Sequence, residues 1–253
     1  MIALIDGDSL IYYEAFKKDS EGNPQSLEDA QLGINKRLSY LLEKVGTDRY
    51  VGWLTGSKNF RYKVAKSKGY KSSRPVEKPE LLTQLKQYMQ EVLHFVIQDG
   101  LEADDMVVYW HKQMEEETTI CSPDKDVFKQ TRGVHYNYRW SKTEMGKFVT
   151  TSSEDAELFL WQQVLMGDST DDIPGLPKVG EKTAQKMLSE NSSLEKHYST
   201  VALEAYIAKF GIAEGVSRFA ETFKLVYMLQ TPEDVMREIG VELEMPNIIK
   251  VKL

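Results

Sequence analysis

Residues 166–187 read MGDSTDDIPGLPKVGEKTAQKM and combine two kinds of chemistry. The first half carries three carboxylates within five residues, and Asp168 and Asp171 would share a face of a helical turn. The second half has Gly and Pro turns that lead into a helical pattern, where free backbone N–H groups and the helix dipole suit a phosphate. The alternative is an Asp-rich loop and a Gly turn before an ordinary surface helix. The segment leaves both interpretations open, so the choice between them depends on the rest of the chain.

The composition is that of an ordinary globular protein with an acidic balance. The 253 residues are 41% hydrophobic and 28% charged, with a net charge of −7, which allows one large domain or a domain with a smaller appendage. The single Cys121 cannot form an internal disulfide and favours a reducing compartment. No apolar run approaches the roughly 20 residues of a membrane span, and the N-terminus opens on a strand pattern without a signal peptide. The negative net charge does not exclude nucleic-acid binding, because a phosphate interacts with the charges near it and not with the net charge of the protein.

Apolar runs and helical patterns alternate through the first 150 residues and predict an α/β fold with a mostly parallel sheet. The predicted strands are residues 2–5, 50–54, 94–97, 118–121 and 134–138. Helices are predicted at residues 10–16, 27–45 and 80–92 and after residue 102, and residues 142–151 are expected to form a loop or an edge hairpin. Beyond residue 153 the pattern is helical, at residues 155–166, 183–190, 203–210 and 219–229. The tail from Val241 is expected to add a terminal strand or to pack loosely.

Residues 58–76 differ in character from the rest of the chain. They contain seven Lys and Arg residues and no acid, with Phe60, Tyr62 and Tyr70 between them. Basic and aromatic side chains together can contact phosphates and stack on exposed bases. The alternative is a solvated basic face. Because Gly and Pro residues interrupt the segment between helical pieces, it is predicted to be a mobile arch and not part of a core.

Acidic residues follow several of the predicted strands. Asp6 follows the first strand and the group Glu102, Asp104 and Asp105 follows the third. Asp124 and Asp126 follow the fourth strand and would point the same way in an extended chain. Helix capping or first-turn acids explain any one group equally well. Together they indicate a site, because parallel strands end on one edge of a sheet, where open α/β folds bind ligands.

With Asp168 and Asp171, these acids would form a group of eight carboxylates. Two charges 4 Å apart repel by ~4 kcal/mol at an effective dielectric of ~20, so the group is predicted to bind divalent cations or to take up protons. Ligands that are all oxygen favour Mg²⁺ or Mn²⁺ over Zn²⁺. Two such ions roughly 3.5–4 Å apart can activate water and stabilise the leaving oxygen of a phosphodiester.

Five ordered motifs carry a family resemblance over nearly the whole chain. They are LIDG at 4–7, FR at 60–61 with YKSSR at 70–74, EADD at 102–105, DKD at 124–126, and residues 167–184, which are similar to GDxSDNIPGVxGxGxKTA. The chain resembles the structure-specific 5′ nucleases: bacteriophage 5′→3′ exonucleases, the 5′-nuclease domain of bacterial DNA polymerase I, and flap endonucleases. Any one motif alone would be weak, but five at suitable spacing are specific. The compact size is most similar to stand-alone phage and small bacterial members.

The resemblance implies a PIN-like, mostly parallel central sheet flanked by helices, with a basic helical arch and a C-terminal helical region. Residues 1–150 would form the α/β nuclease core, with the arch at about 58–92. Residues 151–253 would form the helical region, with a helix–three-turn–helix motif at about 166–190. The activity implied is metal-dependent 5′→3′ exonuclease or 5′ flap endonuclease cleavage in replication or repair.

The resemblance also implies roles for individual residues. Two or more Mg²⁺ or Mn²⁺ ions would be held by Asp6, Glu102, Asp104, Asp105, Asp124, Asp126, Asp168 and Asp171. Lys71 and Arg74 would reach the scissile phosphate, and cleavage would also depend on Asp104 and Asp124. The DNA-binding residues would be Arg61, Tyr70, Lys71, Arg74, Gly175, Lys178, Gly180, Lys182 and Thr183, with a K⁺ ion held by carbonyls of the helix–three-turn–helix turn.

The implied partners are DNA with a 5′ flap, a nick or a free 5′ end, and the RNA of RNA–DNA hybrids. The resemblance implies 5′-phosphate products and no membrane partner. The expected state is a monomer in the cytoplasm of a bacterium or of a phage-infected host.

Three departures from the family pattern stand out. The family usually has an Asp just after the second strand, where this chain reads Leu54-Thr55-Gly56-Ser57. One metal ion would then have fewer protein ligands, and a higher metal concentration would be needed. Lys178 occupies a position where Gly is usual, which puts the backbone geometry of that turn in question. Asp172 replaces a common Asn, and it is interpreted, like Asp8, as a turn or capping residue.

Two other functions remain open. Asp6-Gly7-Asp8 after a strand resembles the nucleophile motif of Asp-based, Mg²⁺-dependent phosphatases, in which Asp6 would form a phosphoaspartate. That interpretation leaves the basic segment and the Gly turn unexplained. The missing Asp after the second strand makes a catalytically weak DNA-binding protein of the same fold the other alternative. Metal-dependent cleavage of a 5′-labelled flap distinguishes both from a nuclease.

Overall fold

The computed structural model describes residues 1–18, 21–74, 78–114, 117–140, 145–193 and 196–251. The chain divides into two compact units. The sheet unit comprises Met1–Lys58, Val76–Thr151 and Met228–Leu253, and the helical unit comprises Asn59–Pro75 and Ser152–Tyr227. The units interleave along the chain, whereas the sequence predicted two consecutive segments. Side chains of the basic segment, such as Tyr70, are buried in the core of the helical unit, and Leu229 and Val235 are buried in the sheet unit.

The strands are mostly parallel, as predicted. They are β1 (Ile2–Asp6), β2 (Arg49–Leu54), β3 (Val96–Ile97), β4 (Thr118–Cys121), β5 (Gly133–Trp140), β6 (Met145–Thr151), β7 (Gly167–Asp168), β8 (Ile173–Pro174) and β9 (Ile249–Lys250). The main sheet has the order β3-β2-β1-β4-β5-β6, and β1 pairs in parallel with both β2 and β4. β6 is an antiparallel partner of β5, and β9 is an antiparallel partner of β2. The expected edge hairpin and terminal strand are therefore both present, although residues 141–144 lie outside the described part of the chain.

The helices surround the sheet and form most of the helical unit. They are α1 (Asp8–Ala15), α2 (Leu27–Val45), α3 (Arg61–Val64), α4 (Leu82–Glu91), α5 (Ala103–Met114), α6 (Lys125–Lys129), α7 (Ser153–Met166), α8 (Glu181–Asn191), α9 (Tyr198–Phe210), α10 (Ile212–Val226) and α11 (Pro232–Ile239). No helix of the described residues is long and apolar enough to cross a membrane.

Local chemistry explains the central elements. Every residue of β1 is buried, which suits an apolar run in the middle of a parallel sheet. Gly7 and Gly52 allow the Phe95 ring to lie against the backbone, since an added Cβ at either glycine would collide with that ring. α2 begins where the Ser26 side chain accepts the Asp29 N–H at 3.1 Å, and it ends at left-handed Gly46, with φ of 74°.

Three predicted elements have different bounds in the structure. β3 is shorter than predicted because His94 has φ of 55°, which extended strand backbone does not allow. The last long helix runs from Ile212 to Val226 instead of 219–229, and α9 begins five residues before the predicted start. α9 begins earlier because His197 caps it and Val201 and Ala202 are buried in its first turns. α10 begins directly after Gly211, which ends α9.

Candidate active site

The carboxylate of Asp6 lies at the C-terminal end of β1 and is 4% exposed. Ser122 Oγ donates to one of its oxygens at 2.9 Å, the Asp8 N–H donates to the other at 3.3 Å, and the Tyr138 hydroxyl donates to its backbone carbonyl. Burial, followed by the nearby charges of Asp8 and Asp124, raises the pKa of Asp6 to about 7. This end of the sheet therefore concentrates negative charge.

Asp8, whose role the sequence left uncertain, does not cap α1. The N-cap of α1 is Gly7, and no side chain caps that helix. Instead, Asp8 Oδ1 accepts the backbone N–H of Thr55 at 3.0 Å, and Thr55 Oγ1 accepts the N–H of Ala103 at 3.0 Å. A carboxylate from the first strand end thus reaches the loop after β2, which lacks one of its own.

The acidic side chains of the EADD segment differ in burial and in their hydrogen bonds. Asp105 is fully buried, and its two oxygens accept the N–H groups of Glu102 and Leu229, each at 3.3 Å. These bonds give Asp105 an anchoring role in the start of α5, in addition to the predicted metal ligation. Glu102 is 7% exposed and Asp104 is half-buried.

The DKD segment is helical and not extended, which corrects the prediction that Asp124 and Asp126 point the same way along a strand. Asp124 is the N-cap of α6, and its Oδ1 accepts the Asp126 N–H at 2.8 Å. Its own N–H donates to Ser122 Oγ at 3.1 Å. Because the same hydroxyl donates to Asp6, Ser122 links the ends of β1 and β4.

The predicted eight-carboxylate metal site remains a prediction. Six of its members lie in the sheet unit, whereas Asp168 and Asp171 lie in the helical unit. Among the described residues, no three Asp, Glu, His or Cys side chains form a group that could hold a metal ion. The donors at the end of β1 are nevertheless all oxygen, which suits a hard cation.

The sequence predicted that Asp168 and Asp171 share a face of a helical turn, and this prediction is wrong. α7 ends at Gly167, which has φ of 70°, and β7 and β8 then form a short antiparallel pair around the acidic turn. Asp168 Oδ1 accepts the Thr170 N–H at 2.8 Å. The Asp171 carboxylate pairs with Arg74, lies 3.5 Å from Lys71 Nζ, and accepts the Tyr70 hydroxyl at 3.2 Å.

Parts of the basic segment are buried in the helical unit, so the prediction that the segment is not part of a core is wrong for residues 59–74. Its mobility stays a prediction, and residues 75–77 lie outside the described part of the chain. Arg61 is 2% exposed, and its guanidinium donates to the carbonyls of Leu225 at 2.9 Å and Tyr227 at 3.0 Å. Those carbonyls lie at the negative end of α10, which favours a cation. Tyr70 is 5% exposed within the core. Both side chains thus have structural contacts inside the helical unit, and their predicted DNA-binding roles stay predictions.

The predicted phosphate-binding turn is open at the surface. Gly180 is the N-cap of α8, no side chain caps that helix, and Lys178, Lys182 and Thr183 are exposed. Lys178 has φ of 66°, the left-handed conformation that the usual Gly would adopt. The turn therefore keeps its geometry despite the substitution. Gly175, which precedes this turn, has to be a glycine, since an added Cβ would collide with the backbone of Met166.

Two family models match consecutive parts of the chain. Residues 1–155 match the N-terminal resolvase-like domain of 5′-3′ exonucleases, and residues 156–247 match the C-terminal SAM fold of 5′-3′ exonucleases. DNA polymerase I of Streptococcus pneumoniae strain R6 is 31% identical over 220 residues, which cover 79% of this chain and 25% of that protein. The chain thus spans about a quarter of the length of this relative. A 5′-3′ exonuclease of Buchnera aphidicola from Schizaphis graminum is 26% identical over 216 residues, which cover 79% of this chain and 74% of that protein.

Solved structures share the fold. The bacteriophage T5 D15 protein, co-crystallized with metal ions, has a TM-score of 0.64 and 16% identity, with 93% of this chain and 92% of that chain covered. Flap endonuclease-1 from Methanococcus jannaschii has a TM-score of 0.55 and 11% identity, with 90% and 78% covered. The predicted α/β architecture with a C-terminal helical region is therefore confirmed.

Proposed function

The chain belongs to the 5′-3′ exonuclease family, and from that membership we propose that it is a divalent-metal-dependent 5′ nuclease of DNA. The observation that carries the proposal is the set of acidic residues at the ends of β1 and β4, where Ser122 Oγ donates to the Asp6 carboxylate and accepts the Asp124 N–H. Acidic oxygens are suitable ligands for Mg²⁺ or Mn²⁺. A bound ion would supply a nucleophilic water at neutral pH and stabilise the leaving oxygen.

The metal ions would be held by acidic side chains. The proposed ligands are the residues predicted from the sequence: Asp6, Glu102, Asp104, Asp105, Asp124, Asp126, Asp168 and Asp171. We add Asp8, whose carboxylate reaches the Thr55 N–H and so replaces the acid that the family usually carries after the second strand.

The cations of the chain would bind and orient the substrate. Lys71 and Arg74 would bind the oxygens of the scissile phosphate and stabilise the negative charge that develops there. The N-terminus of α8, with Lys178 and Lys182, would bind a more distant phosphate of the duplex. A K⁺ ion held by carbonyls of that turn would add to this contact.

The proposed substrates are DNA with a 5′ flap, a nick or a free 5′ end, and the RNA of RNA–DNA hybrids. The products would carry 5′-phosphates, and the protein would act as a monomer in replication or repair. A cytoplasmic location stays a prediction from the single cysteine.

A cleavage assay tests the proposal directly. Purified protein is mixed with a 5′-labelled flap or nicked duplex, with Mg²⁺ in one arm and EDTA in the other. We expect cleavage near the 5′ end only with Mg²⁺. Asp104→Asn and Asp124→Asn should abolish cleavage while binding of the labelled DNA in EDTA persists. Asp48→Asn is the matched control, because Asp48 is an exposed acid that pairs with Lys250.

The same assay separates the two alternatives. A catalytically weak DNA-binding protein would bind the flap in EDTA and leave it uncut in Mg²⁺. An Asp-based phosphatase would release phosphate from p-nitrophenyl phosphate and lose that activity in Asp6→Asn. Wild-type cleavage by the Asp104→Asn protein would mean that the proposed metal ligands are wrong.

A further inference from the structure

Asp172 holds the turn that carries the proposed substrate-binding cations. Its carboxylate pairs with Lys68, accepts the Ser73 N–H at 2.7 Å, and lies 3.4 Å from Ser72 Oγ. The ammonium group and the donated N–H hold the pKa of Asp172 well below its usual range. One carboxylate thus fastens residues on both sides of Lys71.

The backbone on either side of this contact is unusual. Lys71 and Asp172 have φ of 53° and 61°, conformations that side chains other than Gly rarely adopt. The Lys71 N–H donates to the carbonyl of Asp171 at 2.9 Å. Left-handed backbone at a non-Gly residue persists only where surrounding contacts determine it, and here the contacts come from Asp171 and Asp172.

The two adjacent acids differ in exposure. The side chain of Asp171 is 19% exposed, and its partner Arg74 is 50% exposed. A DNA phosphate can therefore compete with Asp171 for Arg74. The side chain of Asp172 is 2% exposed, so its bonds to the turn are screened less by solvent. Asp171 is suited to exchange partners, whereas Asp172 is suited to a permanent anchor.

We propose that Asp172 is a positioning residue of the nuclease reaction, which fixes residues 68–74 so that Lys71 and Arg74 meet the scissile phosphate together. The inference rests on the proposed function. Asn, which the family often carries here, has one carbonyl oxygen and an NH₂ group. In Asp172, Lys68 and Ser73 donate to two different oxygens, whereas Asn offers one uncharged oxygen and a donor in place of the second.

Single-turnover cleavage of a 5′ flap tests the proposal with a double-mutant cycle. We expect Asp172→Ala to slow cleavage by ~10–100-fold, since small misplacements of catalytic groups cost rates of this order. Asp172→Asn should be intermediate. Lys71→Ala should also slow cleavage. Adding Asp172→Ala to Lys71→Ala should slow cleavage by a smaller factor than Asp172→Ala does in the wild-type protein, because part of its effect acts through Lys71 and the rest through Arg74. Glu214→Ala, which removes the exposed ion pair with Arg218, is the control in the same unit and should cleave at the wild-type rate.

Amide hydrogen exchange reports on the contact between Asp172 and the Ser73 N–H independently of cleavage activity. In Asp172→Ala, the Ser73 amide should exchange at least ~10-fold faster at an unchanged melting temperature. Unchanged exchange with unchanged cleavage would overturn the proposal, as would strictly additive effects of Asp172→Ala and Lys71→Ala. Cleavage at the wild-type rate by Lys71→Ala would overturn the positioning role of Asp172, even if the Ser73 amide shows that Asp172 holds the turn. Absence of metal-dependent cleavage in the wild-type protein would instead be a failure of the proposed function.

Discussion

At the scale of the residue, Asp8→Asn tests the one ligand that the structure adds to the proposed metal site. Asn keeps an oxygen for the Thr55 N–H, so the loop geometry is retained while the charge is lost. We expect the Mg²⁺ concentration for half-maximal cleavage to rise at least ~10-fold, by analogy with the effect of losing groups that support metal ligands. The rise in melting temperature that saturating Mg²⁺ produces should shrink in parallel. Asp48→Asn should leave both quantities unchanged, and an unchanged Mg²⁺ requirement in Asp8→Asn would remove Asp8 from the ligand set.

A second residue-scale prediction concerns pH and the buried His135, which is 1% exposed. Burial lowers its pKa from 6.5 to about 4, although its Nε2 hydrogen-bonds the Thr131 carbonyl at 2.7 Å, and the neighbouring His111 lowers it further. Between about pH 6.5 and pH 4 the unfolded chain binds more protons than the folded one. This residue's contribution to the free energy of unfolding therefore falls as pH decreases, by about 3 kcal/mol in total.

The measurement is chemical denaturation at pH 7 and pH 4.5 for the wild type and for His135→Gln, which cannot take up a proton. The variant should lose less stability than the wild type over this interval. His94→Asn is the matched control, because it removes an exposed histidine from left-handed backbone that Asn also adopts. Its pH profile should follow that of the wild type. Parallel pH profiles for His135→Gln and the wild type would contradict the prediction.

Sequence reasoning located acids more reliably than it assigned their surroundings. The ends of apolar runs place Asp6 and Asp124 correctly, because strand ends can be read from local pattern. The buried states of Arg61 and Asp105 could not be predicted, since their partners are backbone groups at Leu225 and Leu229, far away in the chain. Only tertiary packing brings such groups together.

At the scale of the element, the apolar runs predicted β1, β2 and β4 to within a residue or two, and an amphipathic pattern predicted α2. The acidic turn between β7 and β8 was missed, because the three-residue spacing of Asp168 and Asp171 is equally compatible with a helix. Gly167 was the available signal, since a Gly after a helical pattern is typical of a helix end.

Substitutions of Lys178 in the turn before α8 distinguish the role of its backbone conformation from the role of its charge. Lys178→Gly keeps the left-handed conformation without its strain but removes an exposed cation. We expect the folded state to keep its stability within about 1 kcal/mol. Binding of duplex DNA in EDTA should weaken, and the slope of log affinity against log salt should decrease by about 1.

Lys178→Arg is the matched control for this turn, because it keeps the charge at the same backbone position. Its affinity and salt slope should remain close to those of the wild type. A wild-type salt slope in Lys178→Gly would mean that Lys178 does not contact a phosphate.

At the scale of the whole molecule, the interleaving of the two units predicts how fragments behave. The sheet unit includes residues from 228 onward, where β9 pairs with β2 and the Val251 N–H donates to the Asp48 carbonyl at 2.9 Å. Leu229 and Val235 are 2% and 1% exposed. Burial of each stabilises the folded state by about 1.5–3 kcal/mol, against a typical total of roughly 5–15 kcal/mol.

A fragment of residues 1–151 should therefore fail to unfold cooperatively, even though it contains strands β1 to β6. It lacks the C-terminal residues that complete its own core, and it exposes the buried side chains of residues 59–74 that pack in the helical unit. Circular dichroism of the fragment in increasing urea should show a shallow change without a defined midpoint. Co-expression with residues 152–251 should restore a cooperative transition, because it supplies both missing sets of contacts. A cooperative transition in the isolated fragment would mean that residues 1–151 form a self-sufficient domain, as the sequence alone predicted.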